Sequence, residues 1–292
     1  MHIATMITDP RTPHLDAGAV EALRADWNGG TPRWLAPGIA AEFDLPALPD
    51  AREAAWEAHQ ARGIDLAVQP ADGRRKRALL ADMDSTMIGQ ECIDELADAA
   101  GVGDTVAAVT RRAMNGEVDF EDALRERVAA LEGLDAGVIE RVLAERITLA
   151  PGGRALIATM RANGAHTLLV SGGFTAFTGA VAGWLGFDAH QANTLHIENG
   201  RLTGTVAEPI LGRQAKLAAL NATAARLGLA PAQIMAVGDG ANDLAMLHAA
   251  GAGVALHAKP AVAAQCDLRV NHGDLTALLY LQGYARDEFA AS

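Results

Sequence analysis

The chain has 292 residues, half of them apolar, with few aromatics, two cysteines and a formal net charge of −12. That length suffices for one large domain with a smaller one beside it, and an alanine-rich apolar set favours helix-rich α/β layers over an aromatic-packed β-sandwich. The negative charge argues against nucleic acid or an anionic membrane surface as a partner. Cys92 and Cys266 show neither zinc-ligand spacing nor a disulfide pattern, which fits a reducing cytoplasm. The opening Met-His-Ile-Ala-Thr-Met lacks a basic leader region, and no apolar run approaches membrane-spanning length, so a soluble, cytoplasmic protein is expected.

In chain order, residues 3–7 predict a strand, Asp16–Trp27 a helix opened by a capping Asp, Pro46–Arg62 a second helix and Ile64–Val68 another strand. Together they read as a small α/β module over residues 1–72, without any clustering of catalytic residue types. The basic stretch Pro70–Arg77 reads as a linker. Next comes the apolar run Leu79-Leu80-Ala81, which ends abruptly in Asp82-Met83-Asp84-Ser85-Thr86. From about Gln90 to Ile147 only helical spacing is found. Ile93, Leu96, Ala97 and Ala100 stop at Gly101; a second helix opens around Asp104; Phe120, Leu124, Val128 and Leu131 share a face; a fourth helix covers Ala136–Glu145. A four-helix insertion over 89–149, directly after the first core strand, reads as a cap above that strand's tip.

From Pro151-Gly152-Gly153 the alternation resumes, with strands at 166–170, 234–237 and 253–256 and helices at 154–163, 174–185, 213–227 and 242–250. Asn199-Gly200 within 194–206 signals a hairpin. Repeated βα units over 73–88 and 150–292 imply a Rossmann-like parallel sheet covered on both faces.

Ligands of such sheets bind beyond the carboxyl ends of the strands. Residues two apart on a pleated strand share a face, so Asp82 and Asp84 start together. Close carboxylates repel unless one is protonated or a cation lies between them, an arrangement that suits a nucleophile with an acid/base partner, a magnesium site, or both. An ordinary Asp-x-Asp-Ser loop is the plainer alternative. Ser171-Gly172-Gly173 follows the second core strand, where a hydroxyl and freely approached N–H groups suit an anion. Gly238-Asp239-Gly240-Ala241-Asn242-Asp243 follows a later strand. Asp239 is a candidate magnesium ligand, with Asn242 and Asp243 supporting it or touching substrate. A dinucleotide fingerprint competes, but Asp243 occupies the third-glycine position.

Lys216 can reach a phosphate as a point charge, although by residue type alone it reads as solvated. Arg127 lies at the edge of an apolar stripe, which is costly for a guanidinium unless it snorkels or meets an anion. Glu91 lies on the acidic face of Asp94, Glu95 and Asp98, yet close in sequence to Asp82 and Asp84. None of the nine histidines shows ligand spacing.

Four ordered elements, Asp-Met-Asp-Ser-Thr at 82–86, Ser-Gly-Gly-Phe at 171–174, Lys216 and Gly-Asp-Gly-Ala-Asn-Asp at 238–243, resemble the haloacid-dehalogenase-like phosphatases, and within them the phosphoserine-hydrolysing branch. The resemblance covers about Arg77 to Leu281. It implies a two-step phosphoryl transfer in which Asp82 attacks phosphorus and Asp84 serves as acid, then base. It also implies Mg2+ held by Asp82, the Asp84 backbone carbonyl and Asp239, and phosphoryl oxygens held by Ser171, Gly172 and Lys216. In that branch Glu91 would meet the ammonium and Arg127 the carboxylate of O-phosphoserine, with Met114 and Phe120 as apolar neighbours and Thr86, Asn242 and Asp243 around the site. The implied partner is this small molecule, in the last step of serine biosynthesis, with a homodimer left open. The N-terminal module has a looser resemblance to ACT-type amino-acid-binding modules, which implies a regulatory role. Alternatives are a phosphatase or phosphotransferase acting on another small phosphomonoester such as phosphohomoserine, and a noncatalytic amino-acid or phosphate sensor.

Overall fold

The computed structural model describes residues 1–114 and 117–291, with the side chains of Met114 and Arg213 outside the described part. The chain opens with β1 (His2–Ile7), α1 (Ala17–Asp26), β2 (Arg33–Ala36), β3 (Ala40–Leu45), α2 (Arg52–Gln60) and β4 (Asp65–Pro70), whose strands form an antiparallel sheet in the order β2-β3-β1-β4. The Asp16 side chain caps α1 by accepting the Ala19 N–H at 2.8 Å. Two expectations are corrected here. α2 starts at Arg52 rather than Pro46, and the β2–β3 hairpin was not foreseen. The hairpin holds Ala36, Ala40 and Ala41, whose strand propensity is weak, and tertiary burial overrides it.

Both faces of this sheet are used. Ala4, Met6, Phe43, Leu45 and Leu66 pack with Val20 and Leu23 of α1. Ile7, Ala40 and Ala67 point the other way and join the main core. That second face also carries Glu42, Asp65 and Gln69. Glu42 pairs with Arg74 at 2.8 Å and with Arg33 at 2.6 Å, while Gln69 donates to the Leu281 carbonyl at 2.7 Å. The stretch Pro70–Arg77 is therefore docked rather than a free linker. Three of its four basic residues find fixed partners: Arg74 meets buried Glu42, Arg75 lies over the Tyr284 ring, and Lys76 Nζ donates to the Ala232 carbonyl at 2.8 Å.

The remaining elements are β5 (Ala78–Ala81), α3 (Cys92–Ala99), α4 (Gly103–Met114), α5 (Phe120–Ala129), α6 (Gly137–Glu145), α7 (Gly153–Ala162), β6 (His166–Phe174), α8 (Thr175–Leu185), β7 (Ala189–Asn193), β8 (Leu195–Glu198) and β9 (Arg201–Val206). They continue with α9 (Arg213–Leu227), β10 (Ile234–Gly238), α10 (Leu244–Ala249), β11 (Ala252–Leu256), α11 (Pro260–Ala263), β12 (Leu268–Val270) and α12 (Ala277–Leu281). Six strands form a parallel sheet in the order β12-β11-β10-β5-β6-β7, an α/β fold with helices on both sides.

β5 lies inside that sheet, with Leu79 and Ala81 in one apolar layer and Ala78 and Leu80 in the other. A strand buried on both faces reads as a continuous apolar run, which is why this stretch was legible. Truncating Leu80 to alanine would cost about 2–5 kcal/mol, the transfer term plus the cavity left behind. The short β7, β12, α11 and α12 were not anticipated.

Between β5 and α7 lie the four helices α3–α6. The β8–β9 hairpin turns through Asn199 and Gly200, both at positive φ, and its far edge bonds to the segment joining α5 and α6. Gly133 N–H donates to Leu202 O at 2.8 Å, Leu202 N–H to Leu134 O at 2.9 Å, and Ala136 N–H to Gly200 O at 2.8 Å. Among the described residues, no helix is long and apolar enough to cross a membrane.

Candidate active site

The site gathers at the carboxyl ends of β5, β6 and β10. Asp82 follows β5 directly, and its N–H donates to Val237 O of β10 at 3.0 Å. Its Oδ1 accepts the Met83 N–H at 2.8 Å and lies 2.6 Å from Lys216 Nζ. Lys216 is buried, contrary to what its residue type alone suggests, and it also bonds Asp243 Oδ1 at 2.5 Å. The second Asp243 oxygen accepts the Gly240 N–H at 3.0 Å. A Cβ at Gly238 would collide with the Asp243 carboxylate, so this glycine makes room for an internal acidic side chain. The Gly-Asp-Gly pattern thus has a local packing reason that needs no dinucleotide.

Carboxylate oxygens of Asp82, Asp239 and Asp243 lie within 4.8 Å of one another. Asp82 and Asp243 share the Lys216 ammonium, and Asp239 lies beside them without an ion pair among the described residues, which leaves an excess of negative charge in a largely dry place. Burial pushes the Asp82 carboxyl well up, the Lys216 ammonium pulls against it, and Asp243 and Asp84 add to the rise. Burial also raises Asp239, helped by Asp243. For Lys216 burial alone would lower the pKa, but Asp82 and Asp243 override it and hold the ammonium protonated. Such a hard-oxygen set with uncompensated charge fits a divalent cation. The carboxylate cluster includes Asp243 and not the Asp84 side chain. Thr86 Oγ1 donates to Asp239 Oδ1 at 3.3 Å, steadying that carboxylate.

The placement of Asp84 corrects the pleat argument. β5 ends at Ala81, and the chain turns through Ser85 at φ 54°, so a tight turn and not strand alternation orients this side chain. Asp84 Oδ1 accepts the Cys92 N–H at the start of α3 at 2.9 Å, where a helix end favours an anion. Its Oδ2 accepts Ser171 Oγ at 3.0 Å, and Ser171 Oγ accepts the Gly173 N–H at 2.8 Å. Residues 171–173 were expected just past a strand. β6 instead runs on to Phe174, with its register against β7 broken between Val170 and Phe174, so they form an irregularity within it.

Asn193 was missed by sequence reasoning. It is buried at the end of β7, donates to Gly172 O at 2.9 Å and accepts the Leu211 N–H at 2.7 Å. It ties the glycine turn to the segment before α9, and a lone Asn on a short polar strand carries no signal of that.

Above the carboxylates, Phe120 at the start of α5 reaches the same turn. A Cβ at Gly172 would lie 3.2 Å from Phe120 Cζ, so the close approach of this ring depends on glycine. Glu91 immediately precedes α3 and accepts Ser85 Oγ at 2.7 Å. It is open to water at the rim, yet surrounding protein and nearby Asp84 push its carboxyl up to about 7.

Arg127 is half-buried and donates Nε–H to its own helix at Ala123 O, 3.2 Å. Burial lowers its pKa, against the favourable charges of Asp94 and then Glu91. Among the described residues no carboxylate forms an ion pair with this guanidinium, so its charge remains available to an anion. Asn242 is half-buried and folds back beside Gly240 without a hydrogen bond among the described residues. The Met114 side chain lies outside the described residues.

A cavity of about 460 Å³ lies elsewhere, between the end of β4 and the amino ends of β10 and β11. It is at the far end of the sheet from the carboxylates, and its mixed-sign lining favours no ligand chemistry.

The fold and this carboxylate cluster agree with a family match over residues 79–248, and the chain belongs to the haloacid dehalogenase-like hydrolases. Several of its curated relatives are phosphoserine phosphatases. That of Streptomyces coelicolor is 48% identical over 234 residues, 80% of this chain and 57% of that protein, so the match spans little more than half of that relative. The crystal structure of a hydrolase of the same family from Salmonella enterica serovar Typhi superposes with a TM-score of 0.86 at 30% identity, covering 99% of both chains. A solved phosphoserine phosphatase described as a phospho-aspartyl intermediate analogue has a TM-score of 0.65 at 36% identity, over 70% of this chain and 98% of that one.

Proposed function

We propose that this chain is a magnesium-dependent phosphatase that hydrolyses O-phospho-L-serine to L-serine and phosphate, the last step of serine biosynthesis. The observation that carries the chemistry is the pairing of two differently placed carboxylates, Asp82 against Lys216 and Asp84 against Ser171. An Asp82 oxygen bonds to phosphorus as the bond to the serine oxygen breaks, and Asp84 gives its proton to that oxygen. Water then attacks the phosphoaspartate, Asp84 takes the water's proton, and phosphate leaves as the Asp82 oxygen–phosphorus bond breaks.

Lys216, the Ser171 hydroxyl and the Gly172 N–H stabilise the phosphoryl oxygens. Asp82, Asp239 and the Asp84 carbonyl would hold Mg2+, with Asp243 beside them. When bound, the ion supplies positive charge to the phosphoryl oxygens. Glu91 and Arg127 present opposite charges at the rim, which matches an ammonium and a carboxylate on one small substrate. The names of the relatives support the same substrate.

The test is phosphate release from O-phospho-L-serine with Mg2+, beside phosphohomoserine, phosphoethanolamine and p-nitrophenyl phosphate. Strong preference for phosphoserine, abolished by chelation, is expected. Turnover of the generic ester alone would keep the phosphatase and overturn the substrate.

A further inference from the structure

Asp65 opens β4 in the N-terminal module, far from the chemistry in sequence, and is 2% exposed. Its carboxylate is filled by a core loop. Oδ1 accepts the Asn271 N–H at 2.8 Å, while Oδ2 accepts the His272 N–H at 3.0 Å and the Gly273 N–H at 2.8 Å. Successive backbone N–H groups converging on one anion form a nest, and here the anion is a side chain from a different sheet. Gln60 completes the clamp, donating to Asp65 Oδ1 at 3.2 Å and accepting from Asn271 Nδ2 at 2.8 Å.

The clamped loop turns one carbonyl to the residue that follows β11. Gly273 O lies 2.8 Å from His257 Nε2, and because a carbonyl only accepts, Nε2 carries the proton. His257 follows β11 at φ 45°, a conformation that non-glycine residues adopt rarely and keep only when their surroundings hold them there. Two bonds do so, the Gly273 contact and His257 N–H to Val270 O at 2.7 Å. The turn that His257 starts then reaches the backbone of Asp239. Lys259 N–H donates to the Asp239 carbonyl at 3.4 Å, and the Lys259 charge acts on the Asp239 carboxyl.

We propose that Asp65 is a positioning residue for Asp239, holding it through the 271–273 loop and the His257 turn, so that the N-terminal module sets the geometry of the cation-binding carboxylates. This rests on the reading of Asp239 as a cation ligand. Other contacts already attach the module, among them the Glu42–Arg74 pair and the Arg269–Glu53 pair, so docking alone does not require a carboxylate inside this nest.

The experiment measures Mn2+ affinity of the full chain by electron paramagnetic resonance of the free ion, with thermal melting alongside. Asp65→Asn turns an amide group toward three N–H donors. It should raise the Mn2+ Kd by about tenfold, the low end of what partners behind metal ligands are worth. His257→Ala leaves the clamp intact and cuts the next link, so it should give a similar shift. The double variant should be no weaker than the stronger single one, because both act along one chain of contacts.

Asp239→Asn is the control and should remove most binding. If it does while Asp65→Asn and His257→Ala keep the wild-type Kd, Asp65 is a docking contact only and the proposal is overturned. If Asp239→Asn itself leaves binding unchanged, the cation site has been misassigned and the proposal falls with it. Should Asp65→Asn fail to fold, His257→Ala decides, and an unchanged Kd counts against the proposal.

Discussion

The Lys216 ammonium lies 2.6 Å from Asp82 Oδ1, and both residues are buried. A buried pair is weak support for stability as a whole, but removing one partner strands the other. Lys216→Met should destabilise the fold by about 3–5 kcal/mol, because Asp82 and Asp243 then face each other without the ammonium. Lys216→Arg should not restore turnover, since a planar fork does not replace a compact point charge between two carboxylates. Denaturant melts and phosphate release check both statements, and a wild-type melt for Lys216→Met would contradict the first.

Asp82→Asn should abolish turnover, with a loss of about a thousandfold or more, while the melting temperature holds or rises, because Asp243 still pairs the Lys216 ammonium. Burial raises the Asp82 carboxyl pKa, so its charged form is the one the fold penalises. A carboxyl raised above its unfolded value contributes stability below the unfolded pKa and loses it as pH climbs through the folded one. Melts at pH 5 and pH 8 should therefore differ less for Asp82→Asn than for the wild type.

Glu91 gives a second dependence on pH. With its carboxyl pushed up to about 7, the free protein carries a neutral Glu91 in mild acid and a charged one above neutrality. An ammonium is bound by the charged form, so KM for phosphoserine should rise as pH falls from 8 to 6. Glu91→Gln should raise KM at pH 8 and flatten that profile. A wild-type profile in the variant would mean that Glu91 does not meet the ammonium.

Arg127→Ala should lose about 1.5–3 kcal/mol of transition-state binding for phosphoserine, the range for a hydrogen bond to a charged group. The loss should be much smaller for phosphoethanolamine, which lacks the carboxylate. Comparing kcat/KM for the two substrates isolates the contact, and equal losses would make Arg127 a purely structural residue.

What could be read from the chain depended on the kind of order each residue takes part in. The β5 run was legible because both of its faces are buried, and the Asn199-Gly200 hairpin because its turn chemistry is local. Pro37-Gly38 was an equally local turn signal for the β2–β3 hairpin. It was hidden by the alanines around it, which form a strand only because the rest of the protein covers them.

In the site, Asp82, Asp84 and Asp239 stood out as carboxylates at apparent strand tips. Lys216 was named as a phosphate contact, but by residue type alone it read as solvated, since nothing near it in sequence indicates that two acids will surround it. Asp65 and Asn193 are more remote still: each acts on a loop distant in sequence, and neither belongs to a run with a readable period.

The second face of the N-terminal sheet has a consequence for the order in which the chain is made. Residues 1–70 leave the ribosome before the rest of this sequence, and their own helices can cover one side of the sheet at once. The other side, with Ile7, Ala40 and Ala67, waits for α12 and the turn after it, where Leu281 and Gly283 offer their carbonyls to Gln69 and Arg33. This module is thus completed by a segment more than two hundred residues downstream. Until then its second face stays open and apolar, and losing the turn after α12 would remove the carbonyls that hold Gln69 and Arg33.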